Sequence, residues 1–226
     1  EAAEVAKKIY DTMVKKGTCF ITDDVTAEMS KLVENTFRDV NIAFANELSV
    51  ICDKLNIDVF ELIRLANKHP RVNILTPGAG VGGHCLAVDP WFIVEKFPNE
   101  ANVIREARLI NDYKPRFITN KVDEILKGDR TKIVGVLGLA YKPDIDDLRE
   151  SPAMEIAEIL RDKGYEIIVC EPNIIEMEVN GFKLYTLEKI IEKADYLVLA
   201  QGHTEFKNKI LKLKDKKVYD CIGLLK

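Results

Sequence analysis

Metal centres and disulfide frameworks find little support in this sequence. Its 226 residues contain three histidines and five cysteines, and none of them has Cys-x-x-Cys or another metal-ligand spacing. The cysteines are scattered and odd in number, so we expect neither a structural zinc nor a disulfide scaffold, and a reducing cytoplasm as the setting. No run of about 18 consecutive apolar residues occurs, so we expect no membrane partner.

The charge balance argues against a nucleic-acid partner. The 33 Lys and Arg residues and 37 Asp and Glu residues give a net charge of −4, and the two signs are interspersed without a basic stripe. An apolar content of 47% is ample for the cores of one or two domains. We therefore expect a globular protein without a nucleic-acid partner.

A dinucleotide-binding fingerprint is also missing. The run Gly135-Val136-Leu137-Gly138 comes nearest, but it lacks the Gly-x-Gly-x-x-Gly spacing and the third glycine. The chain opens on Glu1 with apolar positions at helical spacing.

Periodicity predicts a helical first half and an α/β second half. We predict a helix and a short strand (residues 19–22) within residues 1–25, then helices at 28–56, at 59–67 after an Asp58 N-cap, and at 99–127, with Pro115 as a kink or junction. Residues 69–90 are predicted to be a loop. Beyond Gly128, we predict strands at 132–137, 166–170, 196–200 and 217–220, with helices at 153–163 and 187–193. The fold class is therefore α/β, with a helical domain at 26–127 and a Rossmann-like parallel domain at 128–226.

The segment most suggestive of a reactive site is Gly80-Val81-Gly82-Gly83-His84-Cys85, with Asp89 four residues after the cysteine. Glycines let a backbone approach a ligand closely, so three of them before one thiol favour a cysteine presented to a substrate. A free cysteine is more often a small buried apolar residue. The glycine frame and the nearby carboxylate make the two interpretations about equal.

This segment resembles the active-site loop of the UDP-sugar 6-dehydrogenases, in the UDP-glucose/GDP-mannose dehydrogenase family. Residues 31–41 resemble the family's central helix, and residues 138–144 and 148–152 resemble the start of its UDP-binding domain. The resemblance implies an NAD-dependent oxidoreductase that dimerises through its central helices. It also implies a preceding NAD-binding domain, so we expect residues 1–25 to be the end of that domain and the chain to be an inactive fragment.

The resemblance assigns chemistry to individual residues. In this family a cysteine thiolate forms a thiohemiacetal, which is oxidised to a thioester that water then cleaves. Cys85 matches the nucleophile, Lys31 and Asn35 match groups that stabilise oxyanions and position water, and Asp89 matches a proton-transfer group. On a helix, Lys31, Asn35 and Arg38 fall within about 60° of one another, so all three can face one pocket. The alternative is a solvated helix face.

Substrate choice is suggested by His84, because glucose-type enzymes usually carry serine before the cysteine. The form Gly-Gly-His-Cys resembles the branch that oxidises UDP-N-acetylhexosamines, and residues 87–92 are closest to its UDP-N-acetyl-D-mannosamine members. We predict that substrate, with His84 and Arg38 contacting the acetyl group or a neighbouring subunit; alternatively, His84 satisfies local backbone. UDP-N-acetylglucosamine, UDP-glucose and GDP-mannose stay open, as does a UDP-sugar-binding dimerisation module without activity.

Further substrate-binding candidates come from the resemblance: Asn41, Arg71, Leu75, Pro77, Gly78, Gly80, Tyr141 and Lys142. The ammonium of Lys142 suits a phosphate or a sugar hydroxyl. Arg149 resembles an arginine near the nicotinamide cofactor, although pairing with Asp147 or Glu150 is almost as good an explanation. The substrate arginine that follows the last strand of glucose-type enzymes has no counterpart in residues 220–223.

Overall fold

Helices are the regular elements of the first 125 residues of the structure, a computed structural model that describes residues 1–226. They are α1 (Ala2–Met13), α2 (Asp24–Leu55), α3 (Val59–Ala66), α4 (Asp89–Lys96) and α5 (Asn102–Ile125). The predicted strand at 19–22 is wrong, because that segment is irregular and pairs with no other strand. A short strand without a partner leaves its backbone groups to water and gains nothing over a loop.

Side-chain capping explains where α2 and α3 begin. The Asp23 carboxylate accepts a hydrogen bond from the Thr26 amide (2.8 Å) at the start of α2. The predicted Asp58 cap of α3 is confirmed, since its carboxylate accepts from the Phe60 amide (2.9 Å). The unpredicted α4 begins inside the expected loop at Asp89, with a proline in its first turn.

Pro115 lies inside α5 without ending it. Proline cannot donate to the carbonyl four residues earlier, so the Asn111 oxygen lacks the usual donor from residue 115. That oxygen lies against Gly80, 3.1 Å from where a Cβ on this glycine would stand. The proline therefore leaves one carbonyl, which is covered by the loop of residues 78–85, called the glycine loop below. Helix α5 continues through Pro115, so this position is not a junction.

The second half forms a parallel sheet, which confirms the predicted α/β class. The strands β1 (Ile133–Leu137), β2 (Glu166–Cys170), β5 (Tyr196–Leu199) and β6 (Val218–Asp220) are ordered β2-β1-β5-β6. An unpredicted hairpin, β3 (Glu178–Val179) with β4 (Phe182–Lys183), adjoins β2 through a parallel bridge between Val169 and Leu184. The helices of this half are α6 (Pro152–Asp162), α7 (Leu187–Lys193), α8 (Thr204–Asn208) and α9 (Ile210–Lys214). In the central pair, Val136 of β1 faces Val198 of β5, and both are fully buried.

Helices α5 and α6 pack against each other and join the two halves through a shared core. Phe117, Ile118 and Val122 of α5 belong to the same apolar cluster as Ile156 and Leu160 of α6. None of the helices combines the length and the hydropathy needed to cross a bilayer.

Candidate functional site

A cleft of about 510 Å³ lies where the helical half meets the carboxyl edge of the parallel sheet. Ala140, Ala200 and Ile222, which follow β1, β5 and β6, form its sheet side. Such an edge is where open α/β sheets commonly bind ligands. The cleft brings together eight of the predicted site residues: Arg38, Pro77, Gly78, Gly80, His84, Cys85, Tyr141 and Lys142.

The glycine loop is seated directly on the segment that precedes α6. The Gly83 amide donates to the Arg149 carbonyl (3.1 Å). A Cβ on Gly82 would stand 2.2 Å from the Glu150 carbonyl oxygen, and one on Gly83 would stand 2.7 Å from the Tyr141 ring. Gly83 also has a φ of +90°. Glycine is therefore required at 82 by close approach and at 83 by both approach and conformation.

Cys85 stands exposed at this cleft, at the end of the glycine loop. Its carbonyl accepts from the amides of Val88 (3.0 Å) and Asp89 (2.8 Å), which turn the chain into α4. Cys19 is half-buried and the other three cysteines are buried. Burial raises the pKa of the Cys170 and Cys221 thiols to about 12. The accessible thiol is thus the one that the sequence predicted as the nucleophile.

The predicted α2 residues do not share one pocket. Arg38 lines the cleft, and the Asn35 amide donates to the Asp89 carboxylate (2.5 Å). The Lys31 ammonium instead pairs with Glu34 (3.1 Å), and both side chains are 67% exposed. Residues seven apart share a helix face but are displaced by about 10 Å along the axis, and helical phase alone does not give that displacement.

Other predicted residues lie outside the cleft. The Asn41 amide donates to the Phe37 carbonyl of its own helix (2.6 Å). Arg71 is exposed and Leu75 is half-buried, and neither lines the cleft. Arg149 pairs with Asp147 (2.6 Å), the alternative that the sequence left open. The hydrogen bond from Arg149 lowers the pKa of the Asp147 carboxyl to about 2.

A buried polar relay that the sequence analysis missed holds the loop at Gly78. The Gly78 amide donates to Asn46 (2.9 Å), Asn46 donates to Asn111 (2.9 Å), and Asn111 donates to Asp39 (2.8 Å). Arg108 also donates to Asp39 (2.6 Å). Burial raises the pKa of Asp39 despite this arginine. The sequence carried a signal for these residues, because polar Asp39 and Asn46 are seven apart on the buried face of α2, beside Ala43.

The two glycines that come nearest to a dinucleotide fingerprint, Gly135 and Gly138, are closed in by neighbouring side chains. A Cβ on Gly138 would stand 2.5 Å from the Gln201 side chain, and one on Gly135 would meet Ile190 and Leu197 within 2.7 Å. Both glycines therefore serve packing within the sheet layer and are not open to a pyrophosphate. No group of three or more histidine, cysteine or acidic side chains is arranged to hold a metal ion.

Known proteins resemble this chain over nearly its whole length. A UDP-N-acetyl-D-mannosamine dehydrogenase from Campylobacter jejuni is 51% identical over 212 residues, which cover 91% of this chain and 52% of that protein. An NDP-N-acetyl-D-galactosaminuronic acid dehydrogenase from Ralstonia nicotianae is 47% identical over 210 residues, covering 92% and 49% respectively. The solved UDP-D-ManNAc dehydrogenase from Pyrococcus horikoshii matches with a TM-score of 0.89 at 40% identity, covering 100% of this chain and 54% of that one. The chain thus spans about half the length of the curated relatives it matches.

Two family domains account for most of the sequence. Residues 25–113 match the central domain of the UDP-glucose/GDP-mannose dehydrogenase family, and residues 135–226 match its UDP binding domain. The predicted resemblance is confirmed. The chain belongs to the UDP-glucose/GDP-mannose dehydrogenase family.

Proposed function

We propose that this chain forms the sugar-nucleotide site of an NAD-dependent dehydrogenase that oxidises UDP-N-acetyl-D-mannosamine to UDP-N-acetyl-D-mannosaminuronate. The observation that carries the proposal is the exposed Cys85 thiol in one cleft with the cations Arg38 and Lys142. A diphosphate needs cations, and oxidation of an aldehyde to an acid needs a nucleophile beside the sugar. The names of the similar proteins from Campylobacter and Pyrococcus support this substrate.

In this proposal Cys85 acts at the aldehyde stage. Its Sγ adds to the aldehyde carbon, the resulting thiohemiacetal is oxidised to a thioester, and water cleaves the thioester. The Asp89 carboxylate, oriented by the Asn35 amide (2.5 Å), accepts a proton from that water. Lys31 would stabilise an oxyanion only after leaving Glu34, which is feasible because both side chains are exposed and such pairs contribute about 0–1 kcal/mol.

NAD, when bound, accepts the two hydrides. Because the sequence lacks the Gly-x-Gly-x-x-Gly spacing and side chains close in Gly135 and Gly138, we place its main site in another part of the whole protein. Residues 1–25 then end that part, residues 26–127 form the central domain and residues 128–226 form the UDP-sugar domain. These 226 residues alone would bind the sugar nucleotide without oxidising it. Arg149, paired with Asp147, stays a proposed neighbour of the nicotinamide.

A second subunit would cover the exposed apolar face of α2. This face carries six apolar side chains that are each 46–70% exposed: Val25, Val33, Phe37, Phe44, Ile51 and Leu55. An open depression of about 660 Å³ between Val25 and Phe37 adds to this surface. Four of its seven lining residues are apolar, namely Val25, Met29, Val33 and Phe37, so this face suits subunit packing. We propose that two subunits form a homodimer through α2. Phe37→Glu should then give the monomer mass in light scattering, and an unchanged dimer mass would contradict the proposed interface.

Discrimination for the acetamido sugar is assigned to His84, which is exposed within the cleft. Its ring can donate a hydrogen bond to the acetyl carbonyl. His84→Ser should lower kcat/KM for UDP-N-acetyl-D-mannosamine relative to UDP-glucose by about tenfold. An unchanged ratio would rule out this role.

The overall proposal is tested by the stoichiometry of NADH formation. The whole protein is incubated with a limiting amount of UDP-N-acetyl-D-mannosamine, UDP-N-acetylglucosamine, UDP-glucose or GDP-mannose, with this chain run in parallel. We expect two NADH per UDP-N-acetyl-D-mannosamine from the whole protein and none from the chain. Faster turnover of UDP-glucose would keep the Cys85 mechanism and overturn the substrate assignment. Activity of the chain alone would overturn the placement of NAD.

A further inference from the structure

A buried imidazole and a buried carboxylate lie directly beneath the loop that carries Tyr141 and Lys142. His203 follows β5 and is fully buried, and Glu171 follows β2 and is 4% exposed. Their side chains meet at 3.0 Å between His203 Nε2 and Glu171 Oε2. Neither side chain lines the cleft. A buried charged group of this kind needs a full set of partners, so its contacts define what it does.

Every contact of Glu171 comes from a donor. Oε2 accepts from the amides of Leu139 (2.7 Å) and Ala140 (3.0 Å) as well as from His203. Oε1 accepts from the backbone amide of Asn173 (3.2 Å) and from its side chain (3.3 Å). Burial would raise the pKa of Glu171, but these hydrogen bonds outweigh it and lower the pKa. An ionised carboxylate therefore fixes the backbone just before Tyr141.

His203 fixes the backbone just after Lys142. Its Nδ1 accepts from the Asp144 amide (3.0 Å), with the Asn173 side-chain nitrogen 2.9 Å away. An Nδ1 that accepts a backbone hydrogen bond leaves the proton on Nε2, which donates to Glu171. Asp144 has a φ of +60°, and its carboxylate accepts from the Thr204 amide and hydroxyl, both at 2.7 Å. The strained residue is thus held from two sides.

The two anchors bracket the part of the loop that faces the cleft. Between Ala140 and Asp144 the chain presents Tyr141 and Lys142 to the cleft, and Lys142 is exposed. A cation on a loose loop would lose conformational entropy when it binds an anion, whereas an anchored loop has lost most of it in advance.

We propose that Glu171 and His203 are positioning residues, which hold Lys142 in place for the diphosphate of a bound nucleotide. This inference rests on the proposed function, since it takes the ligand to be a uridine diphosphate. It adds two buried residues that touch no ligand and act through the loop between residues 139 and 144. Their contribution should appear as nucleotide affinity and not only as stability.

The test is a double-mutant cycle on UDP affinity, measured by titration calorimetry on the intact protein. His203→Leu should weaken UDP binding about tenfold in the wild-type background and less than about twofold in Lys142→Met, because a residue that acts through Lys142 has no further effect once Lys142 is gone. His203→Asn keeps an acceptor for Asp144, and His203→Gln keeps a donor for Glu171. Each should recover part of the lost affinity.

A matched control separates positioning from stability. Tyr165→Phe removes a hydrogen bond to Asp123 (2.6 Å) that is remote from the cleft, so it should lower the Tm without changing UDP affinity. If His203→Leu fails to fold, the same double-mutant cycle with Lys142→Met is measured with His203→Asn, His203→Gln and Thr204→Val instead. Equal loss of affinity in both backgrounds, or no loss in any variant, would overturn the proposal. Failure of the wild-type protein to bind UDP would instead overturn the proposed function.

Discussion

Replacing Gly82 with alanine tests the contact that seats the glycine loop on the segment before α6. The new methyl group would stand 2.2 Å from the Glu150 carbonyl oxygen, 2.7 Å from Pro152 Cδ and 2.9 Å from Tyr141 Cβ. Two of these atoms lie on the backbone or on a rigid ring, so a side-chain rotation cannot relieve the overlap. The loop or its seat must move by roughly 1 Å to restore a normal contact.

The expected cost follows from overpacking. Methyl groups forced into filled space cost about 1–3 kcal/mol, and the closeness of this contact favours the upper end. Loss of glycine's freedom in the unfolded chain returns about 0.4–1 kcal/mol. The net loss is then about 2 kcal/mol, which for a chain of this size lowers the Tm by about 4–8 °C. UDP affinity should fall as well, because Tyr141 borders the cleft.

Gly78→Ala is the matched control for this substitution. It lies four residues earlier in the same loop, and a Cβ there would meet no atom within 4 Å. Its Tm, followed by circular dichroism, should equal that of the wild type or exceed it slightly. If Gly82→Ala and Gly78→Ala unfold at the same temperature, the glycine loop is not seated on residues 149–152 as described.

Three further substitutions test separate parts of the account. Burial lowers the pKa of Lys114 from 10.5 to about 8, so the unfolded chain binds more protons between these values and stability should rise with pH there. Lys114→Met should raise the free energy of unfolding at pH 7 by about 1–3 kcal/mol and abolish that rise, and a flat wild-type profile in urea titrations would contradict this. Hydrogen bonds from Arg130 and Tyr165 hold the pKa of Asp123 well below its usual range. The contribution of Asp123 to the free energy of unfolding is therefore present above about pH 4 and is lost as the pH falls towards the lowered pKa. Asp123→Asn should cost about 1–2 kcal/mol at pH 7, and a difference that persists unchanged at pH 2 would refute the assignment. Cys85→Ser, at an exposed side chain, should leave the Tm and UDP affinity unchanged while NADH formation by the whole protein falls by roughly 1,000-fold; retained turnover would exclude Cys85 as the nucleophile.

The elements that the sequence predicted well are those with strong local signals. The β1 and β5 strands are short apolar runs, and α3 follows a capping aspartate, so periodicity and capping were sufficient. The strand at 19–22 failed because a β-prone run forms a strand only where a partner exists, which is a tertiary property. Pro115 stayed within α5 because its cost falls on one carbonyl, which the Gly80 region covers.

The candidate site was predicted where it follows contiguous motifs and missed where it depends on long-range contacts. Cys85, His84 and Lys142 were found from their segments, and they share the cleft. Asn46 and His203 support those segments from positions 32 and 59 residues away from their backbone partners. Asn46 had a local signal, since it lies on the face of α2 that carries the buried Ala43, whereas nothing local distinguishes His203 from an ordinary polar side chain. The position of Lys31 shows the complementary limit, since helical phase fixes direction but not distance along the axis.

The most direct test of the cleft as the sugar-nucleotide site is protection of Cys85 from alkylation. Iodoacetamide modification is followed by mass spectrometry of peptides that contain Cys85 and Cys19, the two cysteines that are not buried. With saturating UDP-N-acetyl-D-mannosamine, the rate at Cys85 should fall about tenfold or more because the sugar covers the thiol, while the rate at Cys19 stays constant. An unchanged rate at Cys85 would mean that the sugar binds elsewhere, and the assignment of Cys85 to its chemistry would fall.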